Sequence, residues 1–426
     1  MQLTTNQILL ERLLHLHPKT IDLSLNRIIN LLSKIENPEK KLKNVITVTG
    51  TNGKGSTIQF LRSILEAHGK TVNFYISPHL QRFNERINIA GKEIDNQLLN
   101  EVLSKCEQVN GKDPITFFEI TTAAAYLAFS KYPADFTILE TGLGGRLDAT
   151  NVIEQPIAQI LTPISFDHQE FLGDTLAKIT YEKCAIFKNN TKIIISKQTP
   201  EVLKYIDHET KKNTSNKILF GEDFQIQEEN NRFIFQDETT LLDLDYPNLK
   251  GKHQLINAAT AIATAKILLN KIDTKKTNTA IKNTKNKGRL DKILNGKLRE
   301  FIKDENELYI DGSHNEDGAK VTSEFIKTLK GKKIYLILGM LKTKSTENYL
   351  KYFSDIITSI KAITIPHYEN CKSPEEIVKI AENYGMHANV SKSIIEALHE
   401  ISNEDPKGII LISGSLYLAG EALNLN

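Results

Sequence analysis

Residues 45 to 57 constrain this chain more than any other stretch. The apolar run Val45-Ile46-Thr47-Val48 leads directly into Thr49-Gly50-Thr51-Asn52-Gly53-Lys54-Gly55-Ser56-Thr57. A buried strand, three glycines, a lysine and a hydroxyl, with a helix expected from Ser56 to about His68, have the layout of a phosphate-binding loop. The glycines let successive backbone N–H groups point inward, and the helix adds its positive end. Lys54 is expected along the β- and γ-phosphates of a nucleotide, with the Ser56 hydroxyl on Mg²⁺. Val48 stands where the first glycine of G-x-x-x-x-G-K-[ST] belongs, and Gly55 separates lysine from serine. Ordinary P-loop GTPases and kinases therefore fit poorly. A glycine-rich turn that binds nothing is the plain alternative.

Composition narrows the partners. With 54 Lys and Arg against 52 Asp and Glu the net charge is +2, which gives no reason to expect nucleic acid or an acidic membrane. Between residues 271 and 300 ten basic residues face three acidic ones. That run lacks the interleaved aromatics that stack bases, so it reads as a solvated face. Three widely spaced cysteines, Cys106, Cys184 and Cys371, argue against a disulfide framework or a cysteine metal site. A reducing compartment fits, and the lack of a signal-like leader or a long apolar run makes the cytoplasm the expectation. At 426 residues, two domains are expected, over 1–295 and 296–426.

Several further strings carry chemistry-bearing residues at strand ends, where open α/β sheets gather ligands. A helix over 5–16 precedes Thr20-Ile21-Asp22-Leu23-Ser24-Leu25, in which Asp22 suits a cap for a helix from Leu25 onward. The strand Thr71 to Ile76 ends in Ser77-Pro78-His79-Leu80, where the serine alone reads as a turn former. A short hairpin over 83–94 and a helix over 95–109 are expected next. Thr116-Phe117-Phe118-Glu119 is a capping box opening a long helix. The strand Asp135 to Leu139 runs into Glu140-Thr141-Gly142-Leu143-Gly144-Gly145-Arg146-Leu147-Asp148-Ala149-Thr150-Asn151. Three glycines beside a carboxylate suit a backbone passing close to phosphate or metal. No helix pattern follows them immediately, so this is not a dinucleotide fingerprint. After the strand Ile157 to Leu161 come Ser165-Phe166-Asp167-His168 and then Glu182-Lys183-Cys184-Ala185-Ile186. Chemistry alone leaves His168 structural, because Mg²⁺ favours oxygen, and leaves Lys183 on a solvated helix face. Residues 191–246 read as short strands and charged loops. Gly251-Lys252-His253-Gln254-Leu255-Ile256-Asn257-Ala258-Ala259 begins an alanine-rich helix, and Gly288-Arg289-Leu290 precedes a second α/β region with strands near 308–310, 333–338, 361–365 and 408–412. Its first strand ends in Asp311-Gly312-Ser313-His314-Asn315, and later strings are Gly339-Met340-Leu341-Lys342-Thr343-Lys344-Ser345 and Ser413-Gly414-Ser415.

Taken together and in this order, the strings resemble the folylpolyglutamate synthase and dihydrofolate synthase branch of the Mur ligase superfamily. The resemblance implies an α/β fold: an N-terminal P-loop ATPase domain with a mainly parallel sheet, and a smaller C-terminal Rossmann-like domain. It implies that ATP is held by Asn52, Gly53, Lys54, Gly55, Ser56, Asn257, Arg289 and Asp311. It implies two Mg²⁺ sites drawing on Ser56, Ser77, Glu140, His168 and a carbamylated Lys183. Lys54, Lys183 and His314 fall at catalytic positions, and Asp22, Leu23, Ser24, Thr116, Leu147, Asp148 and Ala149 at the pterin. Ser24 stands for a family glycine, Glu316 for a proline, Cys184-Ala185 for alanine-glycine, and Thr343 and Ser345 for two aspartates. The last pair leaves the glutamate-binding residues unassigned.

The activity so implied is ATP-dependent addition of L-glutamate to dihydropteroate and to the γ-carboxylate of reduced folates through an acyl phosphate. The partners expected are these small molecules, and the chain is expected to act as a monomer. A monofunctional folylpolyglutamate synthase and another Mur-type ligase remain alternatives within the fold. A regulatory P-loop switch remains one outside it.

Overall fold

The five residues Val45–Thr49 (β1) are all buried, as β-branched side chains covered on both faces of a sheet should be. β1 lies between Phe136–Glu140 (β5) and Ala158–Leu161 (β6), parallel to both, with Val48 opposite Glu140 and Thr49 opposite Leu161. The remaining strands are Val72–Tyr75 (β2), Ile87–Ile89 (β3), Lys92–Glu93 (β4), Lys192–Ile195 (β7) and Asn216–Leu219 (β8). Their order is β4-β3-β2-β5-β1-β6-β7-β8, antiparallel only at the β2-β3-β4 edge. The computed structural model describes residues 5–16, 21–229, 232–329 and 331–426.

The chain divides into two units. The larger holds Met1–Ser165, Gln169–Tyr246 and Ile256–Thr284; the other holds Phe166–His168, Pro247–Leu255 and Lys285–Asn426. In the larger unit one core cluster joins Leu31 and Leu32 of helix Asn26–Lys34, Leu99 and Leu103 of helix Asn96–Asn110, and Ala123 to Ala125 of helix Phe117–Lys131. The alanines let that last helix lie close to its neighbours. A second cluster uses Ile193 and Ile195, two apart and so on one face of β7, against Ile179, Val202 and Ile206. Phe224–Glu229 (β9), Arg232–Asp237 (β10) and Leu241–Asp245 (β11) form a separate antiparallel sheet.

In the second unit the strands Asp291–Lys292 (β12), Glu307–Ile310 (β13), Ile334–Leu338 (β14), Ser359–Ala362 (β15), Ala388–Val390 (β16) and Ile409–Ser413 (β17) pair in the order β12-β13-β17-β14-β15-β16. All but the β12-β13 pair are parallel.

Local differences from the sequence expectations have physical causes. The helix after the phosphate loop spans Lys54–Ala67, two residues earlier than expected, because Gly53 (φ 85) turns the chain straight into it. Residues 200–210, read as strand and loop, are the helix Pro200–Thr210. Thr199 caps it, Pro200 occupies its first turn, and only Val202, Ile206 and Thr210 are buried, so its charges face outward. β15 ends at Ala362, before the expected 365. Asp22 does not cap a helix: Asn26–Lys34 has Leu25 at its N-cap without a side-chain bond, and the Ser24 Oγ accepts from the Asn26 N–H at 3.3 Å. Thr20 lies outside the described residues.

Asn306, 2 % exposed, is a structural node of the second unit. Its Nδ2 donates to the carbonyls of Asp405 (2.8 Å) and Gly408 (3.0 Å), while its Oδ1 accepts from Ser402 Oγ (2.7 Å) and the Lys303 N–H (3.2 Å). Asn306→Ala removes all four bonds; the Gly408 carbonyl keeps the Glu307 N–H and the Lys303 N–H keeps Ser402 Oγ, so denaturant unfolding should show a loss on the order of 1–3 kcal/mol.

Candidate active site

The carboxyl ends of β2, β5, β1 and β6 lie along one sheet edge, and each runs into a string singled out above. This is where parallel α/β sheets bind ligands. After β1 the loop carries Asn52 to Ser56, and the first turn of helix Lys54–Ala67 presents N–H groups with no carbonyl partner inside the helix. Lys54 Nζ donates to the carbonyls of Gly50 and Thr51, both at 3.1 Å. Lys183, on helix Leu176–Cys184 and 5 % exposed, donates to the same Gly50 carbonyl at 2.9 Å. Two lysine side chains thus converge on one oxygen at the phosphate loop.

β5 ends in Glu140, 5 % exposed, whose Oε2 accepts from the Ser77 N–H at 3.1 Å. Glu140 and Ser77 are therefore neighbours, and the Thr141 N–H bonds the Val48 carbonyl at 2.9 Å, tying this edge to β1. Ser56 is 3 % exposed in the first turn of helix Lys54–Ala67. Among the described residues no group of three or more His, Cys, Asp or Glu side chains is arranged to hold a metal ion. A divalent ion in this unit would draw on the Glu140 carboxylate and the Ser56 and Ser77 hydroxyls, a hard-oxygen set suited to Mg²⁺. Asn257, on helix His253–Leu269, also reaches the loop: a Cβ built on Gly53 would sit 2.5 Å from its Oδ1.

The glycine loop after β5 is fastened to the helix that carries Lys183. The Glu182 carbonyl accepts from the Arg146 N–H (2.9 Å), and its carboxylate accepts from Arg146 Nε (3.1 Å) and Nη2 (2.9 Å). Asp148, 2 % exposed, shapes the same loop by accepting from the Leu143 N–H (2.8 Å), the Thr150 N–H (2.9 Å) and Thr150 Oγ1 (2.6 Å). Burial raises its pKa above the ordinary carboxylate value, against the pull of these bonds. Ala149 is buried and Leu147 half-buried next to it.

Thr116 caps helix Phe117–Lys131. Its Oγ1 accepts from the Glu119 N–H (3.3 Å), and Glu119 Oε2 accepts from the Thr116 N–H (2.8 Å) and Oγ1 (2.9 Å). The Asp22 carboxylate is turned toward Arg27, 2.8 Å away, and Leu23 and Ser24 are half-buried beside it. His79, half-buried below Ser77, accepts at Nδ1 from Arg86 Nε (2.9 Å); burial and then the Arg86 charge lower its pKa to about 3, so the ring is neutral.

In the second unit the loop after β13 is held by Asp311, 5 % exposed, which accepts from the N–H groups of Leu290 (3.0 Å) and Ser313 (2.9 Å) and from Thr322 Oγ1 (3.1 Å). This brings the Gly288-Arg289-Leu290 string against Asp311-Gly312-Ser313, with the Gly312 N–H on the Gly288 carbonyl at 2.9 Å. His168, in the left-handed region at φ 49, belongs to this unit with Asp167. Asp167 receives Lys344 Nζ, Asn315 Nδ2 (3.1 Å) and His314 Nε2 (3.4 Å). Burial opposes its charge, but His314 and Lys344 hold it well below the usual carboxylate range. Sequence reasoning assigned roles to His314 and His168 but none to Asp167, Lys344 or Arg27. Asp167 and Lys344 stood inside quoted strings, yet nothing local announced that they pair.

A phosphate loop on a parallel sheet, followed by a second mainly parallel α/β unit, is the layout of a Mur-type ligase, and the comparisons show that class. Residues 48–265 match the Mur ligase middle domain and residues 294–425 the dihydrofolate synthetase C-terminal domain. The chain is 32 % identical to the dihydrofolate synthase/folylpolyglutamate synthase of Bacillus subtilis over 93 % of each chain, and 30 % identical to that of Haemophilus influenzae over 99 % of this chain and 98 % of the relative. The solved structure of E. coli FolC in complex with DHPP and ADP superposes with a TM-score of 0.88 at 25 % identity, covering 99 % and 97 % of the two chains. The chain belongs to the dihydrofolate synthase/folylpolyglutamate synthase family of ATP-dependent Mur ligases. Among the described residues no helix is long and apolar enough to cross a membrane.

Gly145 tests the coupling of loop and helix. A Cβ there would lie 2.6 Å from the Glu182 carbonyl oxygen and 3.2 Å from the Lys183 Cα, neither of which can swing aside. Gly145→Ala should cost about 1–3 kcal/mol in thermal or urea unfolding and lower turnover, because the helix bearing Lys183 must shift.

Proposed function

We propose that this protein adds L-glutamate first to dihydropteroate and then to the γ-carboxylate of reduced folates, using ATP. The observation that carries the reading is the convergence of Lys54 and Lys183 on the Gly50 carbonyl, on the same sheet edge as the neighbouring Ser77 and Glu140. The family relatives named above carry both activities in their names, and E. coli FolC has been solved in complex with DHPP and ADP.

Phosphorylating a carboxylate with an anionic triphosphate requires cations that offset charge and align the reactants. In this reading the loop N–H groups from Asn52, Gly53 and Gly55 and the Lys54 ammonium hold the β- and γ-phosphates. Asn257 meets the adenine. The substrate carboxylate attacks the γ-phosphorus, ADP leaves, and the glutamate amine then attacks the acyl phosphate and expels inorganic phosphate, with His314 beside the reacting groups. Ser56, Ser77, Glu140 and Lys183 would hold Mg²⁺, which would supply charge neutralisation on the phosphates. Lys183 serves as a carbamate in this scheme. A carbamate replaces a buried cation next to Lys54 with oxygen donors of opposite charge, which Mg²⁺ prefers. Asp22, Leu23, Ser24, Thr116, Leu147, Asp148 and Ala149 form the pterin site. The chain acts as a monomer in the cytoplasm, where a reducing milieu suits its three buried free thiols.

ATP consumption that requires both glutamate and a pterin acceptor is the deciding assay. Turnover with tetrahydrofolate but none with dihydropteroate would leave a monofunctional folylpolyglutamate synthase. Lys54→Ala should abolish turnover while circular dichroism and melting stay close to wild type, since the ammonium bonds only two loop carbonyls. Lys183→Ala should be inactive and partly restored by a short carboxylic acid; intact-mass measurement of an unmodified lysine in active enzyme would count against the carbamate.

A further inference from the structure

The two parts of the proposed pterin site that come from distant sequence, the segment at Asp22 and the start of helix Phe117–Lys131, are joined by one side chain. Arg27 Nη1 donates to Asp22 Oδ2 at 2.8 Å and its Nη2 to the Asp22 carbonyl at 2.5 Å. Its Nε faces the Glu119 carboxylate at 3.0 and 3.2 Å. Glu119 in turn holds the backbone N–H and hydroxyl of Thr116. The chain of contacts therefore runs Asp22, Arg27, Glu119, Thr116, with both ends at residues assigned to the acceptor.

We propose that Arg27 is a positioning residue for the pterin-bearing acceptor: it fixes the Asp22 to Ser24 segment against the Thr116 end of helix Phe117–Lys131 and so sets acceptor affinity. The inference rests on the proposed assignment of Asp22, Leu23, Ser24 and Thr116 to the pterin. Three features favour such a role over simple stapling. The guanidinium binds Asp22 through both carboxylate and carbonyl, which fixes the direction of the side chain as well as its distance. Its pairing with Glu119 is nearly dry on the glutamate side, at 4 % exposure, whereas the Asp22 side chain keeps 34 % exposure. Finally, helix Asn26–Lys34 is anchored independently by Ile28, Leu31 and Leu32, all within 1 % of full burial, so the fold does not hang on Arg27. Lysine cannot reproduce the arrangement, because a single ammonium lacks the planar fork that reaches two separate acceptor groups at once.

The test uses the full-length protein with Arg27→Gln and Arg27→Lys, each assayed with dihydropteroate and with tetrahydrofolate. In Arg27→Gln the KM for the acceptor should rise roughly 10- to 100-fold, with kcat and the KM for ATP within about threefold of wild type. Arg27→Lys should fall between. In an Asp22→Ala background, Arg27→Gln should add less than it does alone, since the carboxylate it orients is gone and only the bond to the backbone carbonyl remains. An unchanged acceptor KM, a rise in the ATP KM of similar size, or full additivity with Asp22→Ala overturns the assignment. If Arg27→Gln melts too low to assay, Arg27→Lys decides: a wild-type acceptor KM in that variant overturns it. A wild type that uses tetrahydrofolate alone defeats the dual-substrate reading only, and Arg27 is then judged on the tetrahydrofolate KM. A wild type that uses neither pterin defeats the functional reading and this inference with it.

Discussion

Everything in the larger unit depends on the register of one central strand. β1 is parallel to β5 and β6 at once, and its pairing sets Val48 beside Glu140 and Thr49 beside Leu161. Because side chains on a strand alternate with period two, a slip of one residue would carry Glu140 and the phosphate loop to opposite faces or different heights. The five buried residues of β1 make such a slip costly, since none can be exchanged for a solvent-facing neighbour. A short stretch of aliphatic and threonine side chains thus sets the geometry in which a lysine, a carboxylate and two serine hydroxyls share one edge.

Electrostatics then imposes the second constraint. Lys54 and Lys183 both reach the Gly50 carbonyl, and Lys183 is almost fully buried. Two ammonium groups reaching one backbone oxygen repel each other, and negative charge brought near them offsets that repulsion. Nucleotide phosphates supply such charge, and so does conversion of one amine to an anion. The second unit shows the opposite solution at Asp167, where one buried carboxylate is matched by Lys344 and His314.

The strings at strand ends were readable in the sequence because each is local: a loop's conformation is set by a few adjacent glycines, caps and hydroxyls. The Thr116–Glu119 capping box stood in the sequence as three-residue spacing and stands in the structure with both bonds made. What escaped is non-local or masked by charge. Arg27 and Glu119 are 92 residues apart and Asp167 and Lys344 are 177 apart, and no periodicity links such pairs. Asp22 was read as a cap because its nearest partners in sequence are backbone N–H groups; the arginine five residues on offered a stronger, charged bond. Helix Pro200–Thr210 was missed because only three of its eleven residues are buried, which leaves little apolar period to detect.

Glu119 closes the account of how stability and recognition are divided in this fold. One carboxylate terminates the hydrogen-bonding deficit at the start of helix Phe117–Lys131 and also receives Arg27. The order of the helix start and the order of the amino-terminal segment are therefore a single degree of freedom. Fraying of that first turn would also loosen the Arg27 contact that reaches Asp22. A change at position 119 thus acts in two places through the same two oxygens, at the start of one helix and at the side chain that holds the amino-terminal segment.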